Sequence, residues 1–190
     1  MYNFPEYLET ERLIIRPARP EDAEIFHKAI INSFKELQLW LSWVKNDFTL
    51  GEATRTCREA YGKFLLNQDI MVFFIDKKTN ELVGASGLMK PIWDLGIFEV
   101  GYWCNTKYTK KGLMTEGLLS LCDYAINTLK ANRLYLTTDD ENIDSWKLAE
   151  RAGFKHEGTL RKDKLNLNGD FRNTRVYSII REDFFFNINN

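Results

Sequence analysis

The sequence predicts an α+β chain built on a mixed, mostly antiparallel sheet of about seven strands with flanking helices. Three observations carry this. Short apolar, β-branched or aromatic runs recur from the first twenty residues to the last. Between them lie segments whose apolar residues return every three or four positions, as on one face of a helix. One strand–helix–strand succession, from Gly96 to Thr138, joins parallel neighbours. A parallel pair needs a crossover of that length, whereas the short polar connections elsewhere suit antiparallel partners.

Thr10–Pro17 (TERLIIRP) reads as the first strand, stopped by Pro17. Pro20–Ser33 follows as a helix, with Glu21, Asp22 and Glu24 at its positive end and Ile25, Phe26, Ala29 and Ile30 on one face. Glu36–Val44 (ELQLWLSWV) places Trp40 and Trp43 three apart, on one helical face that either packs in the core or walls a cleft. Glu52–Leu66 repeats the helical pattern. Ile70–Asp76 and Glu81–Leu88 are strands joined by a polar turn at Lys77–Asn80. Gly96–Asn105 is the next strand, and Asn132–Thr138 its parallel neighbour. Asn142 is suited to cap a helix running to Ala152, and Gly153 to end it in the left-handed conformation. Phe154–Leu167 and Asp170–Arg181 are strands around Asn168-Gly169, a two-residue hairpin signal.

The 190 residues suit a single domain, residues 1–190, and 44% apolar composition supplies its core. A net charge of −1 provides no basic field for nonspecific nucleic-acid binding. Cys57, Cys104 and Cys122 are odd in number and widely spaced, and His27 and His156 are the only histidines. That pattern argues against disulfides and a metal site and fits a reducing, cytoplasmic setting. The N-terminal stretch carries Glu6, Glu9 and Glu11 and shows no apolar leader, and the longest apolar run, Ile70–Ile75, is far too short to span a membrane.

The chain is organised around Val100–Leu129. Leu113/Met114, Gly117/Leu118, Leu121/Cys122, Ala125/Ile126 and Leu129 define one face of a long helix that opens at Gly112. Lys107, Lys110 and Lys111 precede it, where the helix dipole disfavours cations. Either the loop is simply solvated, or it binds a polyanion whose phosphates meet the free amides of the helix start.

Five segments in order give the chain a family resemblance: TERLIIRP, LQLWLSWV, EVGYW, ENIDSWKLAERAGF and NGDFRNTRVYSIIRED. Together they resemble the GCN5-related N-acetyltransferases (GNAT), in particular the RimJ/RimL-type ribosomal-protein N-acetyltransferases. The resemblance implies the three-layer GNAT fold and acetyl-CoA as cosubstrate, with no metal. It places the acyl-CoA loop at Thr109–Met114, where Thr109 stands for the usual Arg or Gln, Lys110 for a frequent glycine and Met114 for a small residue. It assigns the phosphates to Lys110, Lys111, Gly112, Leu113, Met114 and Thr115, and the pantetheine arm to the backbone of the strand at Tyr102, Trp103 and Cys104 and to Asn142 and Ser145.

Acetyl transfer requires a neutral amine, a polarised thioester and a stabilised thiolate. Ser145 is placed to protonate the sulfur, although it and Asn142 also suit helix capping. Glu99 is either a base acting through water or an ordinary sheet carboxylate. Tyr177 either turns its phenol to the cleft or packs in the core. Cys104 has no paired histidine and reads as a structural thiol rather than a nucleophile. A RimL-type carboxylate expected before the last hairpin is replaced by Lys164, with Asp163 adjacent, in a loop one residue longer. Asp139, Asp140 and Glu141 either attract a cationic substrate or end a strand in solvent; His156 reads as structural.

An α-amine titrating at ~8 costs about 1 kcal/mol to neutralise at neutral pH, against roughly 4 kcal/mol for a lysine at ~10.4. The expected acceptor is therefore a protein N-terminal α-amine, of the ribosomal-protein type by resemblance. The alternatives are a small amine such as a polyamine or aminoglycoside, and a non-catalytic acyl-CoA-binding protein. The partner set is thus an amine substrate without nucleic acid or membrane, in a chain compatible with a homo-oligomer.

Overall fold

The computed structural model describes residues 4–188. Its eight-stranded sheet has the order β1-β2-β3-β4-β5-β6-β8-β7. The strands are β1 (Leu8–Glu9), β2 (Leu13–Pro17), β3 (Ile70–Asp76), β4 (Leu82–Ile92), β5 (Ile97–Cys104), β6 (Arg133–Asp139), β7 (Lys155–Leu165) and β8 (Phe171–Ile180). The helices are α1 (Ala23–Asn32), α2 (Phe34–Leu37), α3 (Leu50–Leu65), α4 (Leu113–Asp123), α5 (Ile143–Arg151) and α6 (Arg181–Ile188). All neighbouring strands are antiparallel except β5 and β6. The seven expected strands are present. The eighth, β1, is a two-residue pairing of Leu8 with Ile15 and Glu9 with Ile14, too short to show a sequence period.

The two faces of the sheet separate along each strand with the period of two that a pleat imposes. In β3, Ile70, Val72 and Phe74 join the larger core with α4 and α5, while Phe73 and Ile75 join a second core with α1 and α3. In β5, Phe98 and Val100 belong to the first core and Trp103 to the second. α4 lies close on the sheet because Gly117 has no side chain: a Cβ there would stand 2.6 Å from the Phe74 ring. Among the described residues, no helix is long and apolar enough to cross a membrane.

Three local expectations are corrected. Glu36–Val44 is not a helix. The four-residue α2 ends at the buried Leu37, and the chain continues in turns that bury Val44 and leave Trp40 39% and Trp43 41% exposed. A segment this short has little helical stability of its own, so tertiary packing decides its path. The central helix is α-helical only to Asp123; Tyr124–Thr128 widens into a π-turn closed by the Leu129 amide on the Tyr124 carbonyl (3.2 Å). This turn buries Tyr124, Ala125 and Ile126 in succession, which one face of an α-helix does not accommodate. Finally, the last hairpin is not a two-residue turn. It spans residues 166–170, with Gly169 at φ +89° and the Asn166 side chain accepting from the amides of Asn168 (3.0 Å) and Asp170 (2.9 Å).

Candidate active site at the open end of the parallel pair

β5 and β6 pair only at Ile97↔Arg133, Phe98↔Leu134 and Glu99↔Tyr135. Beyond these residues β5 stays with β4 as far as Gly84↔Cys104, while β6 stays with β8 as far as Asp139↔Thr174. The two parallel strands therefore part. The Asn105 amide donates to the Val83 carbonyl (2.8 Å), which fixes the alternation along β5. Gly101 and Trp103 turn their backbone groups to β4; Val100, Tyr102 and Cys104 turn theirs into the opening. The result is a cleft of about 420 Å³, lined by Val100, Gly101 and Tyr102 on one side and by Leu136–Asp139, Asn142 and Ser145 on the other. Trp40, Leu41, Leu165 and Leu167 close over it. It lies at the carboxyl end of the parallel pair, where open sheets bind ligands.

The loop leaving β5 has two residues in the left-handed conformation, Lys110 (φ +60°) and Gly112 (φ +76°). Left-handed residues alternating with others turn successive amides toward one concave side, a geometry that suits anions. Gly112 then caps α4, and the amides of Leu113, Met114 and Thr115 meet no hydrogen-bond acceptor among the described residues. Lys110 and Lys111 are exposed beside them. Met114 does not crowd the loop: it is buried, with its sulfur 2.8 Å from where a Cβ on Gly84 would sit.

Not all three lysines are free for an anion. Lys107 is held by Glu81 at 2.5 Å, and Lys111 stands 4.8 Å over the Tyr108 ring. Lys107, then the Tyr108 hydroxyl and Lys28, keep the Glu81 carboxyl at about 2.

The loop is braced from the other end of the chain. Arg12 donates through Nη1 to the Lys111 carbonyl (3.0 Å) and through Nε to Glu116 Oε2 (2.6 Å). The Thr10 hydroxyl (2.5 Å) and the Arg12 amide (3.0 Å) donate to Glu116 Oε1. Partial burial pushes the Glu116 carboxyl up, but these bonds outweigh it and hold it below the usual range. Thr10, Arg12 and Glu116 are absent from the sequence-derived site. Their only sequence signal is that Thr10 and Arg12 lie in a family segment, because a contact spanning over a hundred residues leaves no local period.

The structure brings Tyr102, Asn142 and Ser145 together. Asn142 Oδ1 accepts from the Ser145 amide (3.2 Å), capping α5, so the capping role is present at the cleft wall. The Tyr102 hydroxyl donates to the Ser145 carbonyl (2.8 Å) and lies 3.4 Å from Ser145 Oγ. Burial raises the Tyr102 phenol to about 12, so it stays protonated at neutral pH. Burial likewise pushes the Cys104 thiol to about 12, which leaves almost no thiolate and agrees with a structural role. Trp103 differs from Tyr102 and Cys104: its backbone faces β4 and its indole packs on Phe26 (5.9 Å).

Other expected site residues stand apart. Glu99 lies on the Trp103 side of the sheet, paired with Lys90 (2.6 Å) and accepting from the Tyr135 hydroxyl (3.4 Å). Tyr177 is fully buried and donates to Glu150 Oε1 (3.0 Å), so its phenol serves the core and does not face the cleft. Asp139 and Asp140 are not open to a cationic substrate, since Arg172 and Arg175 pair with them. Lys164 resumes pairing after a bulge in β7 in which Lys162 takes φ +52°.

Residues 12–155 match the acetyltransferase (GNAT) domain family, and the chain belongs to it. It is an N-acetyltransferase of that family. The uncharacterized N-acetyltransferase p20 of Bacillus licheniformis is 26% identical over 180 residues, covering 94% of this chain and 98% of that one. Among solved structures, a RimL ribosomal L7/L12 α-N-protein acetyltransferase in complex with coenzyme A superposes with a TM-score of 0.84 at 20% identity, over 94% of this chain and 99% of that one. A ribosomal-protein-S5-alanine acetyltransferase from Vibrio fischeri gives 0.83 at 19% identity, over 94% and 98%. At these identities the structural matches speak for the fold.

Proposed function

We propose that this chain, acting as one domain in the cytoplasm, moves an acetyl group from acetyl-CoA to a primary amine by direct transfer in a ternary complex. The acceptor we infer is a protein N-terminal α-amine, in keeping with the ribosomal-protein acetyltransferases whose fold it shares. The observation that carries the reading is the parting of β5 from β6 beside a helix start with unpaired amides. A thioester arm fits the opening as an added strand, bonded by the backbone of Tyr102 and Cys104. A diphosphate fits the amides of Gly112–Thr115, with Lys110 and Lys111 adding charge.

Acetyl-CoA supplies the activated acyl group. As the amine nitrogen bonds to the thioester carbon and the C–S bond breaks, the departing sulfur takes a proton through Ser145, whose hydroxyl is resupplied with the proton that the attacking amine gives up. The protonated Tyr102 holds the Ser145 carbonyl in place. An α-amine needs only about 1 kcal/mol to lose its proton near neutral pH, so the reading requires no strong base. It does not lean on Glu99, which is committed to Lys90, or on Tyr177.

The test is release of CoA from acetyl-CoA with N-terminal peptides of ribosomal proteins, lysine-bearing peptides and polyamines. Turnover on the N-terminal peptides is expected. Tight CoA binding with no release for any amine would overturn the reading in favour of an acyl-CoA-binding protein. Light scattering on the same sample would show whether the active species is a homo-oligomer.

A further inference from the structure

A second cavity, of about 610 Å³, opens on the other face of the β4–β5 ribbon, between it, α3 and the turns after α2. Its apolar lining comes from Phe26, Trp43, Phe48, Met71, Met89 and Trp103. The rings form one cluster: Phe26 lies 5.8 Å from Phe48, 5.9 Å from Trp103 and 6.2 Å from Trp43. Phe26, Phe48 and Trp103 are buried and fixed, whereas Trp43 is 41% exposed at the edge.

This cavity shares a wall with the proposed donor site. Leu41, Gly101 and Tyr102 line both volumes, so at Gly101 the partition is a single backbone strand. Gly101 has no Cβ on the cavity side; one there would stand 2.6 Å from the Met89 methyl. The charged side chains around the cavity are evenly matched, Lys45, Arg55 and Lys63 against Glu52, Glu59 and Asp69. Lys63 is moreover bonded to Asp69 (3.1 Å), and Glu52 is engaged by Thr49. No acidic excess exists to hold a polycation.

We propose that this cavity is the acceptor subsite and that it selects amines bearing an aromatic or bulky apolar group. The inference rests on the acetyl-transfer reading above and adds the substrate class. The shared wall brings an amine anchored in the cavity to the donor cleft, and the ring cluster holds its side chain by apolar burial and aromatic contact. The even charge balance sets polyamines and aminoglycosides aside. The same chemistry is available from a polypeptide beginning with such a residue and from a free arylalkylamine.

The experiment pairs binding with turnover on the full chain. Calorimetry measures binding of a phenylalanyl peptide, a seryl peptide, phenethylamine and spermidine, and CoA release is followed with each. The expected result is at least about a tenfold preference for the phenylalanyl peptide or phenethylamine over the seryl peptide and spermidine, a size typical of a filled apolar pocket. Preference for the peptide over phenethylamine would identify a polypeptide acceptor, and the reverse a small amine. Trp43→Ala should abolish the preference while acetyl-CoA binding, measured separately, reports that the fold persists. Ala60→Phe, which fills the cavity from α3, provides a second variant with the same expected loss. Equal or better use of the seryl peptide or spermidine, or an unaltered preference in both variants, overturns the subsite. Selective binding of the aromatic ligands without CoA release for any amine would support the subsite while overturning acetyl transfer.

Discussion

At the scale of single residues, the site depends more on backbone groups than on reactive side chains. The loop lysines modulate an anion site whose main donors are amides, so their removal weakens binding without abolishing it. Lys110→Ala with Lys111→Ala should raise the acetyl-CoA dissociation constant about three- to thirtyfold at low salt, from the 0.3–1 kcal/mol typical of each charge at a helix end. The difference should shrink as salt rises; a titration that shows no change would remove their phosphate role. Ser145 differs because its hydroxyl is assigned a chemical step. Ser145→Ala should lower kcat by about a hundredfold or more while the acetyl-CoA dissociation constant moves little. Equal losses in both would make Ser145 a positioning residue.

At the scale of elements, the helix that carries the loop is held from both sides. Gly117 lets α4 approach Phe74, and Arg12 with Thr10 ties its first turn and the Lys111 carbonyl to the start of β2. Gly117→Ala gains about 1 kcal/mol of helix propensity. It also forces a methyl to 2.6 Å from a fully buried ring, an overpacking that typically costs 1–3 kcal/mol. The buried ring has no room to yield, so a lower urea midpoint is expected, and the shift of α4 should weaken acetyl-CoA binding as well. A midpoint at or above that of the parent would show that the contact is slack.

At the scale of the whole molecule, ion pairs join distant segments. Glu81, just before β4, bonds Lys107 beyond β5 and Lys28 on α1, and these contacts with Tyr108 hold its carboxyl at about 2, against an ordinary 4.5. Its folded value lies below its unfolded one. The stabilisation is therefore fully present above about pH 4.5 and is lost as pH falls through that value toward 2. Glu81→Gln should flatten the fall of stability across that window, followed by denaturant unfolding at each pH. Because the group is solvent-facing, the effect should fade in high salt. An identical pH profile in the variant would show that the pairs contribute nothing.

Sequence alone determined the seven main strands, the parallel pair, the capped α5 and the loop at Gly112. Each is encoded within a few residues, by a period of two or four, a cap or a glycine. Local patterning failed where burial crossed segments, since Trp40 and Trp43 line two different cavities instead of one helix face; Tyr177, for which the sequence left cleft and core both open, lies in the core. Only the tertiary structure decided that β5 and β6 part after Glu99, that Thr10 and Arg12 brace the anion loop, and that an aromatic cavity backs Gly101. The parting follows from β6 continuing along β8 while β5 continues along β4. A competition between partners far apart in sequence leaves no mark on either strand by itself.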